Sequence, residues 1–71
     1  MLALQPDTPG ALRGLATLLS ETGAFTEASE LLARAVELEP ESAKLNTDLA
    51  YALERLNRPA DAAVAYRRAL A

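Results

Sequence analysis

Apolar residues fall at helical spacing twice between Leu12 and Pro40, and the same pattern then starts again. In the first stripe Leu12, Leu15, Ala16 and Leu19 stand at i, i+3, i+4 and i+7, and in the second Ala28, Leu31, Leu32 and Ala35 do the same, with Gly23 between them. A shift of about 34 residues carries Leu15, Ala16 and Leu19 onto Leu49, Ala50 and Leu53, and carries Ala28 and Ala35 onto Ala62 and Ala69. Self-similarity at this period allows few folds: each unit is a helical pair that leaves an apolar side for its neighbour to cover. The expected class is therefore all-α, a right-handed stack of antiparallel helix-turn-helix hairpins.

Local signals place the helix ends. Thr8 can accept an orphan amide ahead of Pro9, whose fixed φ suits a first helical position, so the first helix is expected from Pro9 to about Thr22. Gly23 can take the left-handed conformation that ends a helix, and Phe25 can fold back onto the apolar stripe. Thr26 is the expected cap of a second helix with Glu27 and Glu30 near its positive end, which runs to about Leu38 until Pro40 forbids helical geometry at Glu39. Ser42 then repeats the role of Thr8, and a third helix spans about Ala43 to Leu56 with Leu45, Leu49, Leu53 and Leu56 inward. Asn46 breaks that stripe where Leu12 stood one unit earlier, so that edge is expected to be half exposed or to lie beside the preceding unit's backbone. Asn57 replaces Gly23, asparagine being the residue after glycine that best tolerates positive φ, and Pro59 opens a fourth helix in which Ala62, Ala65, Tyr66 and Ala69 repeat the apolar spacing.

Leu4 to Thr8 is echoed by Leu38 to Ser42, so the chain is expected to open inside a preceding unit, with Met1 where Ala35 stands in the next copy. The division is then 1–8, the end of a preceding repeat and its loop, 9–42, repeat one, and 43–71, repeat two, truncated in its second helix.

Composition excludes more than it proposes. At 71 residues the chain is one small domain or a piece of a larger one, able to bury only about 60% of its unfolded surface. It has no cysteine and no histidine, so thiolate chemistry and the commonest metal ligand and general base are missing. No cofactor is expected, and the chain reads as no enzyme. A net charge of -3, with Arg67 and Arg68 as the one cationic pair, opposes a nucleic-acid or anionic-membrane partner. No apolar run approaches the roughly 20 residues that span a bilayer, and the first residues lack the form of a signal peptide, which leaves the cytoplasm as the default compartment.

With a period of 34 residues, alanine where paired helices cross and proline closing each unit, the chain resembles the tetratricopeptide repeat (TPR) family. Ala16 and Ala50 stand at the family's small residue in the first helix, Ala28 and Ala62 at its nearly fixed alanine, Leu32 and Tyr66 at its large apolar knob, Ala35 and Ala69 after it, and Pro6 and Pro40 at its closing proline. The family's aromatic near the start of the first helix is Leu12 in one copy and Asn46 in the other, and its helical tyrosine is Leu19 and Leu53, which makes these aliphatic variants. The pentatricopeptide family, an RNA-reading relative, is disfavoured by the period and the acidic balance.

The resemblance implies a protein-interaction scaffold whose first helices line a concave face. On that face would lie Arg13, Thr17, Ser20 and Glu21, then Lys44, Thr47, Tyr51, Glu54 and Arg55. The expected peptide-binding set is Arg13, Thr17, Lys44, Thr47, Tyr51 and Arg55, with Tyr51 as aromatic anchor and the cations selecting acidic groups. The clamp by which some relatives hold a terminal carboxylate does not fit, because Thr17 and Asp48 stand where its asparagines would be. Glu37, Glu39 and Glu41 lack the spacing of a calcium loop, and Ser20 with Lys44 has no supporting geometry as a catalytic pair. Two other roles are carried: a substrate-docking arm of a larger enzyme, such as a transferase, and self-assembly into a homo-oligomer. For the latter, Ala11, Leu12 and Leu18 at the start and Val64, Ala65, Ala69 and Leu70 at the end are expected to offer apolar surface.

Overall fold

The computed structural model describes residues 8–71, and in them the chain forms four α-helices and no strand. They are α1 (Pro9–Glu21), α2 (Phe25–Leu38), α3 (Ala43–Arg55) and α4 (Pro59–Leu70). The expectations for Met1 to Asp7 lie outside the described residues. Each helix packs against the next in chain order, α1 on α2, α2 on α3 and α3 on α4. Three-residue turns close α1–α2 and α3–α4 into antiparallel hairpins. The result is a slab of 40 × 26 × 13 Å.

The ends are set locally, and they repeat. Thr8 and Ser42 accept from the amides of Ala11 and Leu45 at 3.3 and 3.2 Å, and Pro9 and Pro59 start their helices. Gly23 has φ 87° and Asn57 φ 62°, so both chain reversals pass through the left-handed region. At the first, the Gly23 amide donates to the Ser20 carbonyl at 3.0 Å and the Ala24 amide to Leu19 at 2.8 Å; at the second, Asn57 donates to Glu54 at 3.0 Å and Arg58 to Leu53 at 2.9 Å. This is the Schellman arrangement twice, 34 residues apart, and it satisfies carbonyls that the helix ends would otherwise orphan.

That compact turn overturns one expected cap. Thr26 does not cap α2: the Ala24 carbonyl already accepts from Ala28 at 3.0 Å, so the helix starts at Phe25, Ala24 is its N-cap, and no side chain bonds there. Glu27 lies in the first turn as expected, whereas Glu30 lies beyond it.

Leu12, Ala16, Ala28, Leu32, Ala35, Val36, Leu45 and Ala52 form one buried cluster, and Ala50, Leu53, Ala62 and Ala65 a second, with Leu49 packed against both. Alanine at the crossings lets backbones approach, and leucine beside it fills the space that remains. Leu15 departs from its expected place in the stripe: it is exposed, because α1 packs chiefly on α2 and no described helix covers this side of it. Leu12 and Ala65, expected to offer apolar surface at the two ends, are instead buried, since both point into their own hairpin. Asn46 is fully buried beside the preceding backbone, where its Nδ2 donates to the carbonyls of Pro40 at 3.1 Å and Ser42 at 2.9 Å.

Candidate functional site

α1 and α3 bring their outward residues to one side of the slab, where an open groove of about 280 Å³ forms. Ala16 and Leu32, almost fully buried, form its floor, and Thr17, Ser20, Glu21, Asp48 and Tyr51 line the rest. Tyr51, half-exposed on α3, is held edge-on by Phe25, with the ring centroids 6.1 Å apart and the planes at 70°. Phe25 in turn lies under the Arg55 guanidinium, 5.7 Å from the ring centroid. The turn that ends α1 thus places the aromatic that orients Tyr51.

The expected row is only partly assembled. Thr17 and Tyr51 meet in the groove, and the Thr17 hydroxyl donates back to the Arg13 carbonyl at 2.9 Å. Arg13 is half-buried and engaged: its Nε donates to Asp48 Oδ2 at 2.7 Å, tying α1 to α3. Arg55 is exposed but rests on Phe25. Lys44 does not line the groove; it shares with Arg13 a smaller hollow formed with Pro9, Gly10 and Glu39 near the starts of α1 and α3. Thr47 is exposed and does not line the groove. Two of the three cations expected to select acidic groups are therefore occupied within the chain. Asp48, which stands where a clamp asparagine would be, is the partner of one of them.

Of the seven residues expected to offer apolar surface for self-association, Ala11, Leu18, Val64 and Leu70 are exposed, Ala69 is half-buried, and Leu12 and Ala65 are buried. A wider hollow of about 690 Å³ lies between the C-terminal ends of α2 and α4, lined by Val36, Glu37, Pro40, Glu41, Arg68 and Ala71, and it has no aromatic wall. Elsewhere on the surface the Tyr66 hydroxyl donates to Glu54 Oε1 at 3.1 Å, and this bond, followed by desolvation and the nearby carboxylate charge, raises the phenol above its ordinary pKa. The neutral phenol is the favoured form, so whatever the bond adds to stability is present through neutral pH and is lost as alkaline pH ionises the ring.

Sequence reasoning missed Phe25 as a support for Tyr51, and it missed the Arg13–Asp48 pair. The spacing held a signal for the pair, since Asp48 lies one unit and one residue beyond Arg13, which puts the two on adjacent first helices. Among the described residues no group of carboxylates is arranged to hold a metal ion, and no helix is long and apolar enough to cross a membrane. No protein-family model matches the chain, and no curated protein matches it.

Proposed function

We propose that this chain is a TPR-like interaction module whose groove between α1 and α3 receives a segment of another protein. The observation that carries this reading is the half-exposed Tyr51, braced by Phe25 at the edge of a groove floored by the nearly buried Ala16 and Leu32. A braced aromatic beside a small apolar cleft offers contact area at little cost in side-chain entropy, as interface anchors do. Thr17, Ser20 and Glu21 supply polar groups along one wall. The TPR-like part of the reading is supported by the return of caps, left-handed turns and crossing alanines at the same interval.

With Arg13 held by Asp48 and Arg55 seated on Phe25, recognition rests on an apolar side chain of the partner set against Tyr51, and less on charge. Peptides selected from a random display library on the folded chain test this. Their binding should shift backbone resonances of Thr17, Ser20 and Tyr51, and Tyr51→Ala should weaken it about thirtyfold, the loss of roughly 2 kcal/mol expected for an anchor residue. Shifts confined to α2 and α4, or affinity unchanged in Tyr51→Ala, would overturn the assignment.

A further inference from the structure

The packing of α2 on α3 is the main joint between the two hairpins, and each hairpin carries both halves of it. α1 stands to α2 as α3 stands to α4, so what α3 buries beyond α1 measures what α2 covers. One unit apart, Leu45, Asp48, Leu49, Ala52 and Leu56 are all buried or half-buried, whereas their counterparts Ala11, Gly14, Leu15, Leu18 and Thr22 are all exposed. The contrast is widest at Ala52, fully buried, against Leu18, 60% exposed. The other half of the joint behaves alike: Ser29 and Val36 on α2 are buried, while Ala63 and Leu70 on α4 are exposed, with Val36 at 4% and Leu70 at 86%.

The centres of the two uncovered faces carry no charge. Ala11, Gly14, Leu15, Leu18 and Thr22 make one, bordered by Glu21, and Ala63 and Leu70 make the other, bordered by Arg67 and the half-buried Tyr66. Around Gly14 there is open space where a side chain would stand, so an approaching backbone meets no obstacle. Contiguous uncharged faces on surface helices mark contact sites.

We infer that α4 of one copy docks on α1 of a second copy in the way α2 docks on α3 within one chain. The occupant is a second copy because each chain presents both complementary faces, and their fit has a precedent inside the molecule. The joint is head-to-tail, so it propagates or closes into a ring and does not stop at a symmetric dimer.

Sedimentation of the full 71-residue chain over a range of concentrations tests this, together with Leu18→Glu and Leu70→Glu, whose side chains are exposed and whose folding circular dichroism checks. The wild-type mass should climb with concentration past the dimer. Each variant alone should remain monomeric, because every copy then lacks one face. Mixed in equal amounts, the two variants should form a 1:1 dimer that grows no further, since one intact α1 face and one intact α4 face remain. Serine at the same positions should give the same ordering if glutamate disturbs helicity. A wild-type monomer at every concentration overturns the inference, including the case where residues 1–7 of the same chain cover α1. So does association of either variant alone, which signals a symmetric contact, or a mixture that stays monomeric.

Discussion

Asn46 shows how one residue can carry a joint between units. It is fully buried at a position where the preceding unit holds Leu12, and its amide bridges α3 to the loop through the Pro40 and Ser42 carbonyls. No described residue donates to its Oδ1. One buried side chain holds the Pro40 and Ser42 carbonyls, and removing it takes a donor from each and leaves a void in its place. Asn46→Ala should therefore destabilise the chain by about 1 to 3 kcal/mol. Asn46→Asp should do worse at neutral pH, because a buried carboxylate cannot donate to carbonyls and is expensive to desolvate. Chemical denaturation of the three proteins checks the order, which an Asp variant as stable as wild type would contradict. Sequence reading went halfway here. The break in the stripe was visible, and so was the nearby backbone, but the depth of burial depended on how closely the loop crosses α3.

At the scale of the elements, the helix ends and their turns are the best-determined parts. Gly23 and Asn57 perform the same reversal, but only asparagine has a Cβ that crowds its carbonyl at positive φ. Asn57→Gly should be neutral to stabilising by up to about 1 kcal/mol, while Gly23→Ala should cost about 1 to 2 kcal/mol. Thermal melts of both variants measure the difference. Equal melting points for Gly23→Ala and wild type would mean that the turn does not need the left-handed residue. The Thr26 cap failed for a reason of the same kind: the Schellman turn leaves Ala24 as its last residue and the first of the next helix at once, with no room for a separate capping side chain. A threonine followed by glutamate in sequence is a cap only if the preceding helix has already let go of the chain.

For the whole molecule, the consequence of serial packing is that stability is shared between hairpins. Leu45 lies in the cluster that holds Leu12, Ala28 and Val36 of the first hairpin, although it belongs to the second. A domain of this size is stable by only about 4 to 10 kcal/mol, and a buried leucine cut to alanine costs about 2 to 5. Leu45→Ala should thus lower hydrogen-exchange protection in α1 and α2 together with α3 and α4. Protection unchanged in α1 would show that the hairpins unfold independently. The Arg13–Asp48 pair also crosses between hairpins, but both side chains are about a third exposed, so it contributes less than about 1 kcal/mol and serves more to align α1 with α3.

What the sequence by itself determined is what is encoded within a turn or two of chain: four helices, their caps at Thr8 and Ser42, their prolines, and reversals at Gly23 and Asn57. Steric limits on φ and the orphan groups of helix ends act over a few residues, and the apolar spacing reports which side of each helix turns inward. Only the tertiary structure decided what lies opposite. It covered Leu12 and Ala65, left Leu15 bare, set Arg13 on Asp48 and Arg55 over Phe25, and so engaged two cations of the expected row while leaving its aromatic, Tyr51, at the groove. Those outcomes depend on groups tens of residues away in the chain, and a helical period reports a residue's direction without reporting its neighbour.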